Sequence, residues 1–180
     1  MPLATDEDGP LPESVSAAHR SAPLSALYVQ PTLHNPTSVT MSPGRRRQLA
    51  DLVNDLGIPV VEDRIWSFLA ETDDPFAAHA PALTHVVDGL SKRVAPGLTV
   101  GFLVVPEGRA DAVADAVRSG GWSAGRFALE AAARWTVDGT VARLVGAKRA
   151  DAARRQRVLA ECLDGFAVRS DPRAYYAWWD

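Results

Sequence analysis

The sequence predicts an α/β protein built on a mostly parallel sheet. Short apolar runs rich in β-branched and aromatic residues recur through residue 105, with a helical stretch between the first two. From residue 109 the apolar spacing turns helical, and two further strand-like runs close the chain. Strand, crossover, strand units of this kind wind right-handed and lie parallel. In such sheets ligands gather at the carboxyl ends of the strands, which makes that edge the place to look for chemistry.

Residues 1–24 carry Pro, Ser, Asp and Glu with little periodicity and read as an irregular lead-in, with one or two helical turns in "ESVSAAHR". "SALYVQP" (25–31) reads as a buried strand ended by Pro31, and Asn35-Pro36 keeps the following segment out of helix. Ser42 before Pro43 sets an N-cap ahead of a proline at the first helical position. Leu49, Leu52, Val53 and Leu56 follow at helical spacing, and Gly57 ends the helix. "IPVVED" is the second strand, "THVVDGL" the third and "TVGFLVVP" the fourth. Three helices follow, the last from about Val141 to Leu163. There Val141, Leu144, Val145, Val158, Leu159 and Cys162 form the expected buried side, and Arg154, Arg155 and Arg157 a solvated face. "GFAVRS" and "AYYAWWD" are the last two strands. The expected divisions are 1–24, 25–140 and 141–180.

With 180 residues the chain suits one substantial core. A net charge of -3 offers no case for binding nucleic acid or an anionic membrane, and no apolar run approaches the ~20 residues that cross a bilayer. The single cysteine, Cys162, excludes an internal disulfide framework and a cysteine-rich metal site. The N-terminus is acidic and Pro-rich rather than a basic leader, so a cytoplasmic setting is expected. Neither GxGxxG nor GxxxxGK[ST] occurs.

Three polar residues fall at the carboxyl ends of the first three expected strands: Asn35, Asp63 and Lys92, separated by 28 and 29 residues. Each has an ordinary role. An Asn before Pro forms turns, an Asp after a strand caps a helix, and a lone Lys sits in solvent. Together they make a set that chemistry can use: an amine able to form a Schiff base, a carboxylate for a positive ring nitrogen, and an amide for a phenolic oxygen. Pyridoxal 5'-phosphate requires that set. A lysine that also moves protons needs a lowered pKa, so partial burial of Lys92 is expected.

"YVQPTLHNPTSVTMSPGRRRQLADL", "IPVVEDRIWSFL" and "DGLSKRVAPGLTVGFLV" resemble, in order and spacing, the fold type I aminotransferases of class I/II. They look most similar to the aminotransferase-like domain of MocR-type regulators of the GntR superfamily. The resemblance implies part of a large domain holding the cofactor over 25–140 and the start of an α+β small domain over 141–180. It also implies that the chain is truncated at both ends. By this likeness Lys92 would be the Schiff-base lysine, Asp63 the partner of the pyridine nitrogen, Asn35 the neighbour of the 3'-oxygen and Ser91 the residue before the lysine. Trp66 stands where the family carries Tyr, and can donate only through its indole N–H. Gly89 and Thr99 replace the serine and arginine that grip phosphate, and a single hydroxyl is a weak substitute for a bidentate cation. Ser38 replaces the glycine of "NPTG", which matters if the backbone there needs positive φ.

The resemblance implies amino group transfer between an amino acid and a 2-oxo acid, weakened by these departures, with an amino acid or related amine as substrate or effector. A partial sheet exposes apolar surface, so a homodimer is also expected. The alternative is a non-catalytic effector-sensing domain or remnant of a MocR-type regulator, with no nucleic-acid contact by this chain. A structural protein without ligand is the third reading.

Overall fold

The computed structural model describes residues 1–71, 74–121 and 123–179. The first 24 residues are more regular than their composition suggests. β1 (Thr5–Asp6) and β2 (Gly9–Pro10) form a small antiparallel hairpin, and α1 (Pro12–Ser21) follows with Pro12 in its first turn and Val15 and Ala18 buried. The hairpin is held by contacts that local periodicity cannot reveal. The Asp8 carboxylate accepts both the Ser42 main-chain N–H (2.5 Å) and the Ser42 hydroxyl (2.6 Å), while Arg45 forms an ion pair with Asp6 at 2.7 Å.

The sheet is built on period-two burial: Leu27, Val29, Val60 and Val86 point into the core and Tyr28 and Val87 away from it. β3 (Leu27–Val29), β4 (Val60–Asp63) and β5 (Thr84–Gly89) are parallel neighbours, registered Val29 to Glu62 to Val86. The fourth strand, β6 (Gly101–Val104), runs antiparallel to β5, because the link from Leu90 to Val100 contains turns and no crossover helix. The sheet is therefore mostly parallel with one antiparallel edge. The crossover from β3 to β4 is α2 (Pro43–Leu56). Ser42 Oγ accepts the Arg45 N–H at 3.1 Å and Gly57 closes the helix at φ 64, a conformation that costs glycine nothing. Between β4 and β5 the described residues include two single 3₁₀ turns, Ser67–Leu69 and Phe76–Ala78, and no α-helix.

Two buried charges hold this arrangement. Glu62, 1% exposed, lies on the core face of β4 and accepts the main-chain N–H groups of Phe76 (3.0 Å) and Ala77 (2.9 Å), fixing the start of the second 3₁₀ turn. Arg46, 3% exposed, leaves α2 and donates to the carbonyls of Met41 (3.1 Å), Pro31 (2.9 Å) and Asp74, and to Thr32 Oγ1 (3.0 Å). It thereby fastens the segment that follows β3.

After β6 come α3 (Ala110–Gly120), α4 (Arg126–Val137), α5 (Thr140–Cys162) and an antiparallel pair, β7 (Val168–Ser170) and β8 (Ala177–Trp179). The end of the last expected strand, Asp180, lies outside the described residues. The buried side of α5 differs from the expected one: Ala152 and Gln156 are buried, whereas Val158 and Cys162 face solvent. Gln156 explains the rotation, since its Nε2 donates to the carbonyls of Ala174 (2.8 Å) and Tyr176 (3.1 Å) and draws that stripe inward. Arg154 and Arg155 pair with Asp151 at 2.7 Å on the solvated face. No helix among the described residues is long and apolar enough to cross a membrane.

Replacing Arg46 with Met should keep the packing and strand several buried carbonyls. A loss of about 3 kcal/mol in unfolding free energy is expected, read as a lowered urea midpoint at unchanged slope.

Candidate functional site

Asp63 is the last residue of β4 and pairs in register with Val87 of β5. Its two oxygens are used separately: Oδ2 accepts the Tyr28 hydroxyl at 2.6 Å and Oδ1 accepts the Ile65 N–H at 2.8 Å. Both bonds fix the orientation of the carboxylate. Burial, and then the neighbouring Asp63 carboxylate, push the Tyr28 phenol well above the ordinary tyrosine range.

Trp66, three residues on, belongs to an aromatic group with Phe68 (6.3 Å between centroids), Tyr175 (6.3 Å) and Tyr176 (5.3 Å). The Lys92 ammonium lies over the Trp66 ring, 5.6 Å from its centroid. Lys92 stands in the turn following β5 and is exposed. The partial burial expected of it is therefore not found: the side chain leans on an aromatic face from the solvent side, a contact that leaves its amine hydrated.

Asn35 is exposed. Its main-chain N–H donates to Gln30 Oε1 at 2.7 Å, and its side-chain amide makes no hydrogen bond among the described residues. The loop around it is tightly held elsewhere. Ser38 is buried at φ 60 and Leu33 at φ 51, so the backbone does require the left-handed conformation where the family's motif has glycine. For a serine this costs on the order of 1 kcal/mol. Two bonds offset it: Ser38 Oγ donates to the Tyr176 carbonyl at 3.1 Å, and the Tyr176 hydroxyl donates to the Leu33 carbonyl.

An open groove of about 410 Å³ runs along the carboxyl ends of β4 and β5, lined by Asp63, Asp88, Gly89, Ser91 and Thr99 among others. Asp63 and Ser91 thus share one depression, while Asn35, Trp66 and Lys92 are not among its lining residues. Asp88 was not foreseen from the sequence. It is 7% exposed, accepts the Gly89 N–H at 2.6 Å on Oδ1, and forms an ion pair with Arg93, whose guanidinium sits 5.1 Å above the Phe68 ring centroid. At Gly89 an added Cβ would lie 2.9 Å from the Val100 carbonyl oxygen, so no side chain fits there without moving β6. Asp63 gives this groove a fixed carboxylate suited to the ring end of a pyridoxal-type cofactor, while the aromatic face of Trp66 and the Lys92 amine lie outside its lining. For its phosphate the groove offers the Ser91 and Thr99 hydroxyls beside two carboxylates, and no lysine or arginine among its lining residues. Among the described residues no cluster is placed to hold a metal ion.

A smaller cavity of about 90 Å³, also missed by sequence reasoning, lies between the β1–β2 hairpin, the end of β3 and the 34–41 loop, with His34, Thr37 and Arg169 in its wall. His34 Nδ1 is 2.8 Å from Thr37 Oγ1.

The family model for aminotransferase class I and II matches residues 13–180. The chain belongs to the class I and II aminotransferase family. The HTH-type transcriptional regulator YdeF of Bacillus subtilis is 27% identical over 179 residues, spanning 99% of this chain and 39% of that protein. A second HTH-type regulator from the same organism, YdfD, is 30% identical over 144 residues, 76% of this chain and 29% of its own length. The likeness to MocR-type regulators, with their aminotransferase-like domain, is thereby supported. Among solved structures, the Pyrococcus horikoshii kynurenine aminotransferase superposes with a TM-score of 0.82 at 23% identity, covering 93% of this chain and 45% of that one. At that identity the likeness is one of fold. The chain spans less than half the length of these relatives.

Burial lowers the His34 pKa from its ordinary value. The unfolded chain accordingly takes up a proton near pH 6.5 and the folded chain only at lower pH, so stability falls as pH drops through that interval. Urea midpoints measured from pH 7.5 to 5 should decline more steeply for the unaltered chain than for His34→Gln.

Proposed function

We propose that this chain is a pyridoxal-phosphate-binding, aminotransferase-like protein whose capacity to pass an amino group between an amino acid and a 2-oxo acid is weakened. The observation that carries this reading is the parallel register of β4 and β5. It sets the Asp63 carboxylate beside Val87 and brings the Lys92 amine over Trp66, three residues beyond Asp63. When bound, such a cofactor supplies an electron sink for the bonds at a substrate's Cα.

Each residue of the chain then has a task. Asp63, held by the Tyr28 hydroxyl and the Ile65 N–H, keeps a negative charge oriented toward a protonated ring nitrogen. Lys92 would hold the carbonyl carbon through its amine, which lies against the ring face of Trp66. Ser91 would supply a hydroxyl at the groove beside Asp63, and Asn35, exposed on the neighbouring loop and outside the groove lining, would hold the phenolic oxygen only by reaching in from there. The exposure of Lys92 leaves water in contact with the amine and weakens its use as a proton carrier, which is the physical basis for reduced transfer.

An amino acid or related amine is the small-molecule partner in this reading. A second copy of the chain is the macromolecular one, called for by the exposed Phe102, Leu103 and Val104 on the edge strand β6. The low cysteine content and acidic balance suit a cytoplasmic setting. A second reading, a non-catalytic effector-sensing domain of a MocR-type regulator, is favoured by Gly89, Thr99 and Asp88 at the phosphate end of the groove.

Incubation with pyridoxal phosphate followed by borohydride should fix the ligand on the peptide carrying Lys92, found by mass mapping, and Lys92→Ala should abolish the modification. Absence of any Lys92-linked mass refutes both readings. Ligand fixed on Lys92 without any release of pyridoxamine phosphate across a panel of amino acids supports the second reading over the first.

A further inference from the structure

The cavity of about 90 Å³ between the β1–β2 hairpin, β3 and the 34–41 loop shares no lining residue with the groove at Asp63. Tyr28 stands between the two: it lines the cavity, and its hydroxyl donates to Asp63 in the groove. The hairpin side of the cavity is held firmly. The Arg45 guanidinium donates to the Gly9 (3.2 Å) and Pro10 (2.8 Å) carbonyls and pairs with Asp6, so that three lining residues are fixed by one side chain. Val29, Val39 and Met41 make much of the interior apolar.

Gln30 departs from that character. It is 6% exposed and lines the cavity; its Oε1 accepts the Asn35 N–H at 2.7 Å, and its Nε2 makes no hydrogen bond among the described residues. A buried amide donor left without an acceptor is costly, so its place in a cavity wall marks a position for an acceptor atom. His34, whose Nδ1 is engaged with Thr37, adds only a neutral ring, because burial lowers its pKa. The volume is that of about three water molecules, or of a molecule of about four or five non-hydrogen atoms. A charged occupant would need a counter-charge inside. Asp6 is already paired with Arg45, and Arg169, the one cationic side chain in the lining, is exposed to solvent.

We propose that this cavity is a second binding site, for a small neutral molecule with an apolar body and a carbonyl oxygen that accepts from Gln30 Nε2. The site is independent of the assignment of Lys92 and Asp63. Because Tyr28 also holds Asp63 Oδ2, an occupant lies against the residue that orients the carboxylate of the groove, as an effector site would require.

The test is a nitrogen-15 NMR titration of the full chain with three probes of nearly equal size: butanone, propionate and protonated 2-aminobutane. Butanone should shift the Gln30 side-chain amide resonance, identified by its loss in Gln30→Glu, along a saturating curve. Propionate and the amine should bind at least about tenfold more weakly, since each must leave its hydration shell for a cavity without a committed counter-ion. No saturable shift with butanone means that the cavity holds water only and overturns the proposal, as does equal or tighter binding of either ion. This comparison needs no variant. Gln30→Glu keeps an acceptor for the Asn35 N–H and removes the donor, so butanone, followed at the Val29 and Val39 amides, should bind about tenfold more weakly. Unchanged affinity in a variant whose circular dichroism matches the unaltered chain overturns the role of Gln30 and the proposal with it. Lys92→Ala should leave the butanone curve in place. A curve that vanishes there reports condensation of the ketone with that amine and overturns the site.

Discussion

The structure depends on the parallel pairing of β4 with β5. A parallel ladder cannot be closed by a tight turn, so the chain must leave the sheet and return to its starting end between every pair of such strands. Consecutive carboxyl ends are thereby delivered to one edge, and Asp63 and the turn bearing Lys92 become neighbours although 29 residues separate them. The two returns are made differently. α2 brings the chain from β3 to β4 with an N-cap, a proline and a terminal glycine, whereas the described residues of the return from β4 to β5 hold two single 3₁₀ turns and no α-helix. The second is stabilised by Glu62, whose carboxylate takes over the main-chain donors at the start of the Phe76–Ala78 turn. A buried carboxylate with two N–H donors can remain charged inside the core, and it ties the return path to the strand it serves.

A second dependence runs from the C-terminal region back to the edge of the sheet. Tyr176 contacts Trp66 through its ring, donates its hydroxyl to Leu33, and accepts from Ser38 through its carbonyl. One residue thus joins the loop of Asn35 to the aromatic group under Lys92. Gln156 of α5 holds that segment from behind through the carbonyls of Ala174 and Tyr176. The left-handed backbone at Ser38 persists because these bonds over-determine it. A glycine would relax the conformation and lose the hydroxyl that bonds Tyr176, so the two effects oppose each other within the same turn.

What the sequence revealed and what it concealed divide along the same physical line. Strands β3 to β6, α2 with its Ser42 cap and Gly57 terminus, and the position of Asp63 were legible because each is encoded by neighbours in sequence: alternation, capping, helical spacing. The antiparallel turn of β6 was not, since a run of apolar residues carries no direction. The roles of Arg46 and Glu62 were not legible, because the Pro31 and Asp74 carbonyls and the Phe76 and Ala77 N–H groups that they bond are distant in sequence. The β1–β2 hairpin depends on Asp6 and Asp8 meeting Arg45 and Ser42, contacts no local pattern announces. On α5 the apolar count favoured Val158 and Cys162, but the buried stripe follows Ala152 and Gln156, where the hydrogen-bonding demands of the neighbouring carbonyls outweigh hydrophobicity. At the site, the residue types were visible and their burial was not: Lys92 is exposed, and Asp88 lies within a strand that reads as simply apolar.

The phosphate end of the groove shows why a change of chemistry there is also a change of backbone. β5 and β6 close upon each other at the pair Gly89 and Gly101, and the Val100 carbonyl occupies the space a side chain at 89 would need. An oxygen donor at 89 therefore cannot be gained by substitution alone; the antiparallel edge would have to move outward first. That edge is in turn held by Leu90, whose N–H donates to the same Val100 carbonyl at 2.9 Å, and by the packing of Leu90 with Leu98, Val100 and Ala132. With 89 closed to side chains, the buried carboxylate one residue earlier accepts both the Gly89 N–H and the Arg93 guanidinium. The Asp88–Arg93 pair is thus a consequence of the close strand pairing as much as of the residues chosen: beside the point where β5 and β6 close, a buried carboxylate is compensated by a guanidinium of the same chain segment.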